Sequence, residues 1–427
     1  MVQDGVALPL EGVRVVEHGS FVAIPLAGML LAQLGAEVVR LDPAGGAADL
    51  GRLPRSENGE SIYWASLNKG KRSVALNLRN IAGRELATRL ITDAAPDAGV
   101  FLTNVIGRPW LADEELRTHR EDLVHVQLTG TPNGGAAVDY TINAATGVPL
   151  LTGPGDLGVP VNHVLPAWDV AAGELAALAA VALERQRART GSGGHLRLSL
   201  ADVAVSTLGH LGFLAERSLG IDDRDRDGNF VYGTFGTDFP TADGERVMVV
   251  AITPRQWREL VAITGLEEAV AALEQGTGVD LDDEAGRFEL REALAALLRP
   301  WFAARTAEEV AATFADAAVL VQRYRTVDEL VHACAGEASA LESDRAPEGN
   351  ARPAPEVTAG VVSWLDQPGI GRLLAAGSAL STGGRSIAPP TAAPTFGGDT
   401  EPLLAEVLGL SRTELGRARD AGAFSSG

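Results

Sequence analysis

Val13-Arg14-Val15-Val16-Glu17, the stretch Leu26–Leu34 and Glu37-Val38-Val39-Arg40-Leu41 follow one another with short breaks between them. Two β-branched runs flank a helical one, and that order makes a strand, a crossover helix and a second, parallel strand. The alternation continues through Ser73–Leu78, Ala82–Thr92, Val100–Thr103 and Leu123–Leu128, of which Ala82–Thr92 reads as a helix and the others as strands. Strands joined through helices build a parallel, doubly wound α/β sheet.

Working outward, Pro166 precedes a helical stretch from about Val170 to Arg189. Its repeated alanines, Ala171, Ala172, Ala176, Ala177, Ala179 and Ala180, let another element approach closely. Arg185 to Arg189 and then Thr190-Gly191-Ser192-Gly193-Gly194 supply the basic end and the stop. His195–Leu200 reads as a strand, Ala201–Arg217 as a helix and Asp222–Gly228 as a charged linker. A second, smaller α/β unit begins near Asn229, with the strand Arg246–Ile252 and helices at Pro254–Ile263, Phe288–Leu298 and Ala307–Phe314. Glu337–Pro355 connects back, and the helix Thr400–Leu408 returns the chain to the first unit. The resulting division is a large domain over 1–220, a small domain with its linkers over 221–335, and a C-terminal return over 336–427.

At 427 residues the chain exceeds what one hydrophobic core usually supports. Hydrophobic residues make up 46% and charged ones 22%, the usage of a packed globular protein. A formal charge of −20 repels nucleic acid and anionic membranes, so an anionic ligand has to be held by a local basic site. The single cysteine, Cys334, rules out an intrachain disulfide and suits a reducing cytoplasm. Met1 to Leu10 does not read as an export signal, and the most apolar stretch, Leu175 to Leu183, is too short to span a bilayer.

Asp42 closes the second strand, where a dinucleotide-binding fold would hold a ribose. The first turn, His18-Gly19-Ser20-Phe21-Val22-Ala23-Ile24-Pro25, lacks the spaced glycines a pyrophosphate needs, so NAD and FAD are not expected. A nucleophile elbow, a Walker loop and H-E-x-x-H are also missing. The histidines, at 18, 119, 125, 163, 195, 210 and 332, form no helical ligand pair, so no metal is expected.

Two segments carry candidate chemistry. Leu67-Asn68-Lys69-Gly70-Lys71-Arg72-Ser73 packs three cations beside a glycine, a composition suited to phosphates and equally to a solvated turn. Asp169 stands in Leu165-Pro166-Ala167-Trp168-Asp169-Val170-Ala171-Ala172-Gly173 at the start of the Ala-rich helix. There it reads as an N-cap or as an ionised nucleophile, and the two are compatible.

With these residues in place, the chain resembles the family III CoA transferases of the CaiB/BaiF type over nearly its whole length. The likeness rests on Leu10–Glu17, Leu31–Arg40, Asn68–Ser73 and Leu183–Leu200 in order. It is most distinctive in Val138-Asp139-Tyr140-Thr141-Ile142-Asn143, Leu151-Thr152-Gly153-Pro154 and Asn162-His163-Val164-Leu165-Pro166-Ala167-Trp168-Asp169. These last runs look like the branch that moves CoA between the two carboxylates of mesaconyl-CoA. The resemblance implies a Rossmann-like large domain, an interlocked homodimer, Asp169 as covalent carrier, and CoA thioesters with small (di)carboxylic acids as substrates. It places coenzyme A contacts near Phe21, Val22, Ala23, Arg40, Leu67, Lys71, Asn104 and Val105, with Arg108 substituting for a basic residue that some relatives carry near the Ala112 position.

A 2-methylacyl-CoA racemase of the same fold would need a His where this chain has Val138 and a Glu where it has Pro240, and neither replacement exchanges a proton. Thr237 and Pro240 also depart from the mesaconyl branch, which leaves transfer to a second, separate acid as the main rival. A silent CoA-binding subunit is the rival from another class. The glycine-rich segment Gly228–Gly236 reads either as a cover for the site or as turn geometry.

Overall fold

A computed structural model describes residues 8–221, 224–342, 361–382 and 385–425. Met1–Ala7, parts of the linker at Asp222–Gly228 and much of Glu337–Pro355 lie outside the described residues.

The first half of the chain runs β1 (Arg14–His18), α1 (Ala23–Gln33), β2 (Glu37–Pro43), α2 (Ile62–Leu67), β3 (Arg72–Leu76), α3 (Ile81–Ile91), β4 (Val100–Thr103), α4 (Asp113–His119) and β5 (Val124–Thr129). It continues through α5 (Asp139–Ala145), α6 (Val148–Leu151), α7 (Ala167–Thr190), β6 (Gly194–Ser199), α8 (Leu200–His210) and α9 (Phe213–Ser218). The strands form one six-stranded sheet in the order β3-β2-β1-β4-β5-β6, parallel throughout. This is the doubly wound order whose direction reverses between β1 and β4, the place where such sheets open a crevice at their C-terminal ends.

Consecutive strand residues serve opposite layers, which is why the runs are apolar throughout rather than alternating. Val15, Val38, Leu102 and Val126 face a layer made by α1, α7 and α8, including Ala27, Ala172, Ala176 and Ala180. Val16, Val39, Val74 and Phe101 face the other layer, with Leu86 and Leu90 of α3. The alanines of α7 bring it against α1 as expected. Gly173 is needed there, because a Cβ would stand 2.8 Å from the Ala23 carbonyl oxygen.

The second half comprises β7 (Phe235–Pro240), β8 (Arg246–Ala251), α10 (Pro254–Thr264), α11 (Glu267–Thr277), α12 (Glu284–Glu289), α13 (Arg291–Ala303), α14 (Ala307–Phe314), β9 (Leu320–Arg323) and α15 (Val327–Glu342). The antiparallel sheet β7-β8-β9 and these helices share a separate core of Phe235, Phe239, Val249, Trp257, Leu298 and Phe302. Then come β10 (Val362–Gln367), β11 (Gly371–Ala376), β12 (Ser381–Thr382), β13 (Arg385–Ser386), α16 (Thr400–Leu408) and α17 (Arg412–Asp420). Leu403, Leu404, Leu415 and Phe424 enter the second layer of the parallel sheet. The returning chain also closes the sheet's open edge. The Ser73 and Ala75 amides of β3 donate to Asp399 Oδ2 at 2.9 Å and Thr400 Oγ1 at 3.0 Å, and the Asn77 amide to the Ala423 carbonyl at 2.7 Å. An uncovered edge strand would invite pairing with other chains.

Three readings from sequence change. The helix expected over Ala201–Arg217 is two helices, broken at Gly212, whose φ of 86° stops α8. Phe288–Leu298 spans the end of α12 and the start of α13, with Leu290 between them. The last residues of Gly228–Gly236 belong to β7, with Phe235 fully buried, so the segment cannot move as one cover. Among the described residues no helix is long and apolar enough to cross a membrane.

Candidate active site

The loops leaving β1, β2 and β4 meet above the switch point. Asn104, just past β4, accepts the Ser20 amide at 3.3 Å and donates to the Ser20 carbonyl at 3.1 Å. Gly19 permits this approach, since a Cβ there would come 2.8 Å from Asn104 Oδ1. Phe21 has a φ of 66°, unusual for a bulky residue, and its amide is held by Asp49 Oδ2 at 2.9 Å. Of the predicted contacts, Phe21 is 38% exposed while Val22 and Ala23 are buried, and Asn104 is joined to the same loop through Ser20. Arg108 lies exposed further along the β4 loop, and Leu67 is half-buried at the end of α2.

Arg40 and Lys71 are placed differently from a free phosphate grip. Arg40 is fully buried, donating to Asp42 at 2.8 Å, Asp49 at 3.1 Å and Asn68 at 3.2 Å. Lys71 Nζ donates to Glu17 and the Pro25 carbonyl at 2.7 Å and to Asn68 at 2.9 Å. Glu17, Asp42 and Asp49 together outnumber the two cations, so no surplus positive charge remains for an outside anion. Burial lowers Lys71 to about 8, which leaves it protonated at neutral pH. Burial pushes the Glu17 carboxyl upward. In this arrangement Arg40 acts through Asp49 on the Phe21 loop.

Asp169 is the third residue of α7, whose N-cap position is Pro166 and so has no side-chain oxygen to offer. The capping oxygen comes instead from α5. Asp139 Oδ2 accepts the amides of Trp168 at 2.7 Å and Asp169 at 3.1 Å, while Oδ1 holds His163 Nε2 at 2.7 Å. Asn143 accepts from Trp168 Nε1 at 3.1 Å and donates to Asn162 at 2.6 Å. Two of the most distinctive sequence runs therefore meet in one network, in which the first amides of α7 are capped by Asp139 and not by Asp169.

The Asp169 carboxyl is raised to about 6, first by burial and then by the charge of Asp139, with Arg52 opposing. At neutral pH most of the group is still ionised, as a nucleophile requires. Tyr63 belongs to the same cluster: burial raises its hydroxyl, and it feels Arg52 and Asp169. Arg52 stands over the rings of Phe21 and Tyr63, 5.5 and 5.0 Å from their centroids. Sequence reasoning missed Arg52 and Tyr63 altogether. It quoted Asp139, Asn143 and His163 only as part of a resemblance.

Two other features lie elsewhere. A cavity of about 310 Å³ opens beside Pro154, lined by Arg226, Phe230, Asp238, Arg246 and Arg299, and Asp169 is not in its wall. Asp113, His125 and His195 gather at the opposite end of the parallel sheet. Their imidazoles stack with centroids 4.4 Å apart at 10°, so their in-plane lone pairs run side by side instead of converging. Asp113 is already paired with Arg117 at 2.7 Å. A search for helical ligand pairs in the sequence could not see this pair, which forms across neighbouring strands.

The family model for CoA-transferase family III matches residues 10–400. The chain is 45% identical over 97% of its length to the 2-methylfumaryl-CoA isomerase of Chloroflexus aurantiacus, also covering 97% of that protein. It is 26% identical over 76% of its length to a succinyl-CoA–D-citramalate CoA-transferase of the same organism, covering 80% of it. Its fold matches the crystal structure of a CaiB/BaiF family protein from Brucella suis with a TM-score of 0.73 at 22% identity, over 94% of this chain and 100% of that one. The chain therefore belongs to the family III CoA transferases, and it is an enzyme rather than a silent coenzyme-binding subunit.

Proposed function

We propose that the enzyme moves CoA from C1 to C4 of mesaconyl-CoA within one bound acid, through covalent intermediates on Asp169. The observation that carries this is the Asp169 carboxylate: it stands at the head of α7 with its own amide already taken by Asp139, and among the described residues no hydrogen bond ties down its oxygens. The 45% identical relative named 2-methylfumaryl-CoA isomerase supports the choice of acid.

The steps follow from the residue type. A carboxylate oxygen of Asp169 attacks the thioester carbonyl and expels the CoA thiolate, leaving a mixed anhydride. The thiolate attacks the aspartyl carbonyl, frees the acid and forms an aspartyl-CoA thioester. The acid's other carboxylate then attacks that thioester, the thiolate leaves again, and its attack on the acyl carbonyl of the new anhydride regenerates Asp169. No proton or electron is gained or lost. In this reading Phe21, Val22, Ala23, Leu67, Asn104, Val105 and Arg108 line the path of coenzyme A at the switch point. Arg40 and Lys71 support that lining from beneath.

Hydroxylamine added during turnover intercepts the aspartyl thioester, and mass spectrometry is expected to find a hydroxamate on Asp169. Labelled free mesaconate present in the same reaction is expected to stay out of the thioester pool. Label entering that pool would instead establish intermolecular transfer, the activity that the name of the 26% identical relative describes.

The same reading gives the chain an interlocked partner copy. Leu175 and Leu178 of α7, Val205 of α8, and Leu211, Leu214 and Leu219 stand exposed, an apolar surface that a second subunit would cover. Light scattering is expected to find a dimer that survives dilution, since linked chains cannot part without unfolding. A monomer at any dilution that leaves the fold intact would exclude interlocking.

A further inference from the structure

We infer that Arg52 binds the free carboxylate of the acyl group, so that the site selects dicarboxylic acids and keeps the freed dianion beside Asp169 between the two halves of the transfer. This rests on the covalent role of Asp169 proposed above and deepens it.

Arg52 follows β2 in the loop Gly51-Arg52-Leu53-Pro54. Its backbone is fixed on both sides: the amide donates to the Asp49 carbonyl at 3.1 Å, and the carbonyl accepts Ser61 Oγ at 2.6 Å, the same hydroxyl that caps α2. The guanidinium lies over Phe21 and Tyr63, and Phe21 is itself held in a left-handed backbone conformation by Asp49. A guanidinium held by ring faces keeps its N–H edges directed outward, and those edges match a carboxylate bidentately.

Among the described residues, the Arg52 guanidinium makes no ion pair and no side-chain hydrogen bond. Arg40, Arg72 and Arg117, in contrast, are each paired with carboxylates. Arg52 is solvent-exposed, so its guanidinium is open to an incoming anion in a chain whose net charge is −20. It is not simply the counter-ion of Asp169 either. Arg52 lies over the Tyr63 ring, and Tyr63 interacts with Asp169; the Arg52 charge opposes the rise of the Asp169 carboxyl, yet no salt bridge joins the two. An acid held by both residues would have one carboxyl group on the nucleophile and the other on the guanidinium. A thioester at C1 leaves the C4 carboxylate for Arg52, and a thioester at C4 leaves the C1 carboxylate. At the aspartyl-CoA stage both are free, and the cation opposes escape of the dianion.

The test uses the full-length enzyme with Arg52→Gln and Arg52→Lys at about pH 8.5, where the Asp169 carboxyl is ionised with or without a neighbouring cation. Rapid capture of CoA on the enzyme is measured from mesaconyl-C1-CoA and from the matching thioester whose distal carboxylate is replaced by methyl. Arg52→Gln is expected to lower kcat/KM for the dicarboxylic thioester about 100-fold, the effect of losing one charge-assisted carboxylate contact. The methyl analogue is expected to stay within about threefold of the wild type. Arg52→Lys is expected to recover part of the loss, since it restores the charge without the fork. Equal losses on both thioesters, or no loss on either, overturn the assignment while leaving Asp169 catalysis standing. A wild-type enzyme that captures no CoA from either thioester overturns both.

Discussion

Asp169→Asn is expected to abolish turnover, by about 10⁴-fold or more, while making the protein harder to unfold. The amide nearly matches the carboxylate in shape but is a poor nucleophile, so neither the anhydride nor the aspartyl thioester forms. The stabilisation has an electrostatic origin. In the fold the Asp169 carboxyl is raised from 3.8 to about 6, because burial and the nearby charge of Asp139 both disfavour ionisation. The folded state therefore holds this proton more tightly than the unfolded state does. The destabilisation is absent below the unfolded value, grows as pH rises through the interval from 3.8 to about 6, and is complete above it. Allowing for partial solvent access, it amounts to about 2 kcal/mol at neutral pH. Thermal unfolding of the two proteins is expected to diverge above pH 6 and to converge near pH 4. Equal melting temperatures across that range would show that the carboxylate is not strained, and retained activity would remove it from the mechanism.

The same titration sets the acid limb of the reaction. Wild-type kcat/KM is expected to fall with a slope of one as pH drops below about 6, because the protonated acid cannot attack a thioester. Under the proposed mechanism, a site that destabilises the Asp169 carboxylate favours its attack. An ionised aspartate fully satisfied by hydrogen bonds would be stable but slow, whereas one exposed to the charge of Asp139 is displaced toward any product that removes its negative charge. Both the anhydride and the thioester do so.

The sequence was most informative where one short run decides a structure by itself. Val100–Thr103 is a strand with the expected bounds because a run buried on both faces has no amphipathic alternative, and Ala307–Phe314 begins just after Thr306, whose side chain caps it. β7 was hidden because Gly236, Thr237 and Asp238 separate its two phenylalanines, and its place is set by pairing with β8. The same contrast holds in the site. Asp169 could be singled out, but its role could not be separated from capping, since the oxygen that caps α7 comes from a helix thirty residues earlier in the chain. Arg40 and Lys71 have the composition of a phosphate grip, and only the fold reveals the three carboxylates that occupy them. Arg52 gave no signal, because a lone arginine among Gly and Pro acquires meaning only when Phe21 and Tyr63 close around it.

Asp139 is the second residue whose loss is expected to be severe, and its two oxygens allow its functions to be separated. One oxygen carries the amides of Trp168 and Asp169, and the other carries His163. Asp139→Ala leaves the first turn of α7 without a partner for those amides. The nearest remaining carboxylate is Asp169 itself, which can turn back to satisfy its own helix, as aspartates at helix starts do. That conformation withdraws the nucleophile, so kcat is expected to fall about 100- to 1,000-fold with little change in KM, alongside a loss of about 1–2 kcal/mol of stability. Asp139→Asn keeps an oxygen able to accept both amides but removes the charge that helps raise Asp169. Its activity at neutral pH is expected to stay well above that of the alanine variant, and its acid limb is expected to move to lower pH. The paired outcome discriminates between roles: a helix cap alone would leave the pH profile of the asparagine variant in place, and a charge effect alone would make the two variants alike. If both variants turn over at the wild-type rate, Asp139 has no part in holding Asp169, and the free carboxylate at the head of α7 needs another explanation.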